Sequence, residues 1–124
     1  MSAARASVIS IPDPEGAQDL FHERGWTDGL PVVPPTPDAV AAVLAHVALE
    51  PDRMVGVEPV RGRALTAEKL AINAVMAGCR PADFPVVLAA MHAVLAEPYL
   101  LHGSSASTGG CGGLLLVNGP IRAE

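Results

Sequence analysis

The 124-residue chain is half apolar and only 17% charged, against roughly a quarter charged in ordinary soluble domains, so one small domain has few charges with which to coat its surface. A formal net charge of −5, with the eight Lys and Arg scattered, argues against nucleic acid as a partner, because phosphate binding needs a basic patch. Aromatic residues make up 3% of the chain, too few for base-stacking platforms or aromatic cages.

Residues 1–14 read as an N-terminal arm with a short extended piece, Val8 to Ile11, and residues 15–124 as a single domain. The opening stretch lacks the long apolar core of a signal peptide, which points to the cytoplasm and to two free thiols rather than a disulfide. Asp13 or Pro14 can start a first helix that carries Leu20 and Phe21 and ends at Gly25 in a left-handed cap. Gly25 to Pro37 holds four prolines and two glycines; proline fixes φ and pushes its predecessor toward extended geometry, so this is a stiff, extended segment. Thr36-Pro37-Asp38 is a helix start. Val40, Val43, Leu44 and Val47 then mark one buried face, and Pro51 is the expected stop. Met54 to Val57 is a short strand.

Thr66 caps the next helix, whose body Leu70 to Gly78 is apolar except for a polar stripe, Thr66, Lys69 and Asn73. Cys79 to Pro85 is a proline-bounded turn. The helix from Val86 to Ala96 is apolar all round except His92, and helices of this kind are buried on all sides, so something must cover the outside. Residues 102–113 form a glycine-rich loop leading into a strand, Leu114 to Val117. The fold class expected is α/β: α-rich, about four helices and two or three short strands, with the C-terminal strand completing a sheet with another chain.

The loop at 102–113 is the first candidate site. Its glycines let backbone N–H groups approach a ligand, and Ser105, Thr108, Gly109 and Gly110 supply donors for substrate contact. It follows a helix, enters a strand and has no lysine, which rules out a P-loop or dinucleotide fingerprint. Cys111, flanked by glycines, has the access a nucleophile needs, and His102 lies nine residues upstream. Cys79 follows a helix C-terminus, where the dipole disfavours a thiolate, yet Arg80 beside it favours one. Lys69 and Asn73 would line a site between subunits, and Asp28 sits in the turn before the prolines. Each has a plainer alternative: a connecting loop, an incidental or buried structural cysteine, the solvated edge of a helix, a turn cap, and for His92 a satisfied core histidine. No zinc-type spacing occurs and no resident metal is expected; the thinnest alternative is a homo-oligomer holding a metal with His102 and Cys111.

Three segments carry a resemblance: GWTDGLPVVPPTPDAV (Gly25–Val40), EKLAINAVMAGCRPADFPVVLAAMHAVL (Glu68–Leu95), and Tyr99–Ile121 with LHG and LLLVNGPI. Over about four fifths of its length the chain resembles a family of bacterial proteins, mostly of unassigned function, that share the GLPVVPPT, AINAVMAGCRP and NGPI stretches. The resemblance implies that this chain corresponds to an N-terminal half, because family members continue past NGPI into a second, Gly-rich α/β-like half. Similar proteins occur beside a selenocysteine- or cysteine-motif redox protein, which implies thiol-based reductive chemistry. It also places Cys79 in the shared AGCRP motif and leaves Cys111 outside the shared pattern.

Together these features predict the small subunit of a heteromeric enzyme, an oxidoreductase or lyase. It would act on a small molecule by thiol-assisted redox chemistry or carbon–heteroatom bond cleavage at a subunit interface. Cys111, Lys69, His102 and Cys79 would be its chemical groups and a second protein subunit its partner, with the cofactor open. The alternative is a non-catalytic structural or binding subunit that completes a partner's fold.

Overall fold

A computed structural model describes residues 6–11 and 15–123 and shows a small mixed α/β fold. Five α-helices are formed among the described residues: α1 (Glu15–Glu23), α2 (Pro37–His46), α3 (Ala67–Met76), α4 (Phe84–Leu95) and α5 (Leu101–Ser105). A two-stranded antiparallel sheet, β1 (Met54–Glu58) and β2 (Arg63–Thr66), lies between α2 and α3 in the chain. Short 3₁₀ turns at Pro81–Asp83 and Glu97–Tyr99 flank α4. No single helix among the described residues is long and apolar enough to cross a membrane.

Three helices end in the same way. At the end of α1 the Gly25 N–H donates to the His22 carbonyl and the Trp26 N–H to the Phe21 carbonyl, with Gly25 at φ +65°. This is a Schellman cap, and its customary hydrophobic contact is the Trp26 ring on Phe21, centroids 5.8 Å apart. At the end of α3 the Gly78 N–H donates to Val75 and the Cys79 N–H to Ala74. At the end of α2 the Ala48 N–H donates to Ala45 and the Leu49 N–H to Leu44, with Ala48, not a glycine, at φ +51°. The helix therefore stops at His46, ahead of Pro51, because the chain turns left-handed at Ala48. The expected start of α1 at Asp13 or Pro14 lies outside the described residues.

The proline-rich segment is pinned rather than free. The Gln18 side chain donates from Nε2 to the Val32 carbonyl at 2.5 Å and accepts at Oε1 from the Val32 N–H at 3.1 Å. The next N–H, of Val33, donates to the Met76 carbonyl at the end of α3. One side-chain amide thus pairs with a peptide group as a strand would, and a helix-terminal carbonyl that lacks an intrahelical donor finds one.

The sheet adds a strand that the sequence pattern did not reveal. Pairing runs Gly56 to Leu65, Val57 to Ala64 and Glu58 to Arg63, with an irregularity between Met54 and Gly56. The Glu58 carboxylate closes the connection by accepting from the Val60 and Arg61 N–H groups. Gly56 lies directly under Leu95 of α4: a Cβ there would come within 2.7 Å of Leu95 Cδ1.

The core is small. Val40, Val43 and Leu44 of α2 pack on Leu70, Ala71, Ala74 and Val75 of α3, with Phe84 fully buried at the start of α4. That helix begins at Phe84, two residues earlier than Val86, and it is not buried on all sides: Val87, Leu88 and Met91 face the core while Ala89, His92 and Ala93 are exposed. The predicted loop at 102–113 is helical at its start, in α5. Among the described residues, Leu114 to Val117 pairs with no strand.

Candidate functional site

Lys69 and Asn73 stand one helical turn apart on the exposed side of α3. The Lys69 ammonium donates to the Ala64 carbonyl at 3.2 Å and the Asn73 amide to the Lys69 carbonyl at 2.8 Å. Thr66 is occupied as the N-cap, accepting from the Lys69 N–H. The stripe therefore ties β2 to α3 through local backbone bonds. Asp28 is likewise engaged in its own turn, accepting from the Leu30 N–H, while Thr27 accepts from Gly29 and donates to the Leu30 carbonyl.

Cys79 owes its position to the cap of α3. Gly78 at φ +84° swings the chain so that Cys79, the residue after the left-handed turn, packs back on the core. Its side chain borders an open apolar cleft of about 290 Å³ formed with Val33, Ala39, Ala42, Val75 and Pro81. The neighbouring Arg80 is turned to Asp83, with Nη2 to Oδ1 at 2.9 Å and Nε to Oδ2 at 3.2 Å, and the Arg80 N–H donates to the same carboxylate at 2.8 Å. These hydrogen bonds hold the Asp83 carboxyl below its ordinary range and raise the Arg80 guanidinium further. The guanidinium next to Cys79 is thus directed to a carboxylate.

The glycine-rich loop is solvent-exposed throughout residues 105–113. His102 is exposed on α5, and the Ser105 hydroxyl donates to the Leu101 carbonyl. The Gly109 N–H donates to the Ser107 hydroxyl, while Thr108, Gly110 and Cys111 face water. A Cβ on Gly113 would sit 3.4 Å from the Tyr99 hydroxyl, so the far end of the loop returns to the turn after α4. Among the described residues no hydrogen bond joins Cys111, Lys69, His102 and Cys79 to one another, and no group of three His, Cys, Asp or Glu converges.

Beyond the loop, exposure alternates: Leu114 is 84% exposed, Leu115 59%, Leu116 78% and Val117 39%. That is the period-two pattern of an extended segment with one side on the protein. Leu115, Leu116 and Val117 border an open groove of about 430 Å³ whose other wall is Val86, Ala89 and Ala90 of α4. This α4 surface escaped sequence reasoning; the signal for it was the same all-apolar helix, read as wholly buried. Comparison with family models, curated proteins and solved structures finds no match to the chain.

Proposed function

We propose that the chain is the small subunit of a heteromeric, cytoplasmic enzyme that acts on a small molecule, with its site completed by a second protein at the interface. One observation carries this: an exposed thiol, Cys111, stands on a glycine loop whose next residues, Leu114 and Leu116, turn apolar side chains to water on an extended segment with unpaired backbone. Such a segment is suited to pairing with another chain's strand edge, and that pairing would bring the thiol to the boundary. The resemblance to longer bacterial proteins with a second half supports the same assignment. The chemistry proposed is thiol-assisted redox or carbon–heteroatom bond cleavage, with Cys111 as the attacking or ligating thiolate and Lys69 or His102 as the proton-handling group.

The second reading is a non-catalytic binding subunit. It is favoured by the local bonds of Lys69, Asn73, Ser105 and Asp28, which give each of these side chains a structural task.

Native mass spectrometry of protein purified from its own host, with co-purifying chains and ligands retained, tests the assembly. A stoichiometric second chain is the expected result; a ligand-free monomer overturns it. Cys111→Ala in the complex separates the two readings. Loss of turnover with assembly intact supports the enzyme, and unchanged turnover leaves the binding subunit.

A further inference from the structure

The NGPI stretch, Asn118 to Ile121, has no part in the chemistry proposed above. The chain has two asparagines, Asn73 and Asn118. Both are exposed, yet the fold treats them differently. Asn73 sits inside α3, and its amide donates to the Lys69 carbonyl at 2.8 Å. The nitrogen that follows it, of buried Ala74, lies within the helix, where it is committed to the carbonyl four residues back. Asn118 lies outside any helix or strand. Among the described residues, neither its side-chain amide nor the Gly119 N–H has a hydrogen-bond partner.

That difference decides a reaction. The carbon of an asparagine side-chain amide is open to attack by the backbone nitrogen of the next residue, provided that this nitrogen can approach and shed its proton. A nitrogen held in a helical hydrogen bond can do neither. Glycine in the next position sets no Cβ beside the attacking atom. At Gly119 even an added Cβ would meet nothing within 4 Å, so no neighbouring group crowds the approach. Residues 110–118 make no hydrogen bond to the body of the protein among the described residues. The backbone there can therefore take up the ring-closing geometry without breaking any pairing.

We propose that Asn118-Gly119 is a self-modifying site, at which the Gly119 nitrogen closes on Asn118 Cγ. The N–Cγ bond forms, the Cγ–Nδ2 bond breaks, and Nδ2 departs as ammonia, which carries off the Gly119 proton. Water then opens the succinimide. Cleavage of N–Cγ leaves aspartate; cleavage between the nitrogen and the main-chain carbonyl carbon of residue 118 leaves isoaspartate, with the backbone routed through Cβ and Cγ. In sum one water is consumed and one ammonia released, and either product adds a negative charge at neutral pH. Among the described residues that line the groove beside α4, Asn118 alone is polar. The modification therefore turns the neutral rim of an apolar groove into an anionic one. It belongs to the chain itself and stands whether or not the subunit proposal holds.

Ageing the full chain in mildly alkaline buffer at physiological temperature, followed by peptide mass mapping, tests it. A synthetic peptide spanning residues 117–122 is aged alongside to give the unprotected rate. The Asn118 peptide of the protein should gain the mass of an amide-to-acid change at a rate within several-fold of the synthetic peptide. The rate should rise with pH, because the attacking nitrogen must lose its proton. Part of the product should accept a methyl group from an isoaspartyl methyltransferase used as reagent. Asn73 should stay unconverted in the folded protein. Asn118→Gln, whose longer side chain would need a larger ring, should stop the conversion at that position. Conversion more than several-fold slower than in the peptide would show that the fold protects the site and overturn the proposal. So would equal conversion at Asn73, continued conversion in the Asn118→Gln protein, or a product that is aspartate alone, the mark of direct hydrolysis.

Discussion

Ala48 holds a backbone position that side-chain-bearing residues avoid. Its φ of +51° closes the Schellman cap of α2, at a cost of about 1–2 kcal/mol for an L-residue. Ala48→Gly removes that strain, and glycine's greater freedom in the unfolded chain offsets part of the gain. The expected net effect is a stabilisation of about 1 kcal/mol, read as a higher urea midpoint at unchanged slope; a lower midpoint would show that the cap is not limiting. The same position explains a misjudged boundary. Gly25 and Gly78 announce the ends of α1 and α3 in the sequence, whereas an alanine in the same conformation announces nothing, and Pro51 is then the first visible stop. Asp83 makes a second residue-scale prediction. Its pKa is lowered in the folded chain by the Arg80 hydrogen bonds, so the ionised form favours folding. That contribution is complete above the ordinary aspartate range and fades as pH falls through the lowered value. Asp83→Asn should lower the melting temperature slightly at neutral pH, since the pair is exposed, and the gap should close toward about pH 2. A gap of equal size at both pH values would mean that the carboxylate charge plays no part.

Among the elements, the proline-rich segment shows how a stretch without regular structure is fixed. Prolines restrict its shape, but the Gln18 amide and the Met76 carbonyl decide where it lies. Gln18→Ala leaves the Val32 peptide without either partner in a half-buried place, which should cost about 1–2 kcal/mol. Gln18→Glu keeps an acceptor for the Val32 N–H and sets a carboxylate against the Val32 carbonyl, so it should not rescue. Equilibrium urea unfolding of the three proteins checks both; wild-type stability for Gln18→Ala would show that the prolines alone hold the segment. The stiffness was legible because proline acts through its own ring. The pin was not, because Gln18 lies fourteen residues from Val32. Helices α2 and α3 were legible from Thr36, Thr66 and the valine and leucine spacing. Strand β2 was not: Arg63-Ala64-Leu65-Thr66 shows no clean alternation, and its pairing is set by the turn that Glu58 and Gly62 close.

On the scale of the whole molecule, the chain exposes 8777 Å², against roughly 6,200 Å² for a compact monomer of its mass. Leu114 and Leu116 are among the most exposed large apolar side chains on that surface. The sequence Leu114-Leu115-Leu116-Val117 shows that a strand-like segment must have two rows, but four aliphatic residues in succession do not say which row packs. The fold makes the distinction by degree: Leu114 and Leu116 are 84% and 78% exposed, Leu115 and Val117 59% and 39%. The outward pair therefore separates folding from assembly. Substituting both by aspartate changes no buried contact in the free chain, and exposed substitutions of this kind stay within about 0.5 kcal/mol of neutral. In the proposed complex the same side chains lie under a partner, where burial of each leucine contributes about 1.5–3 kcal/mol. The pair together would then weaken association by about 10²- to 10⁴-fold. Leu114→Asp with Leu116→Asp should accordingly leave the unfolding midpoint of the free chain in place and deplete the second chain from the native complex. A complex retained at wild-type occupancy would move the interface elsewhere on the surface and take Cys111 away from it, which would remove the main ground for a thiol-dependent site at that boundary.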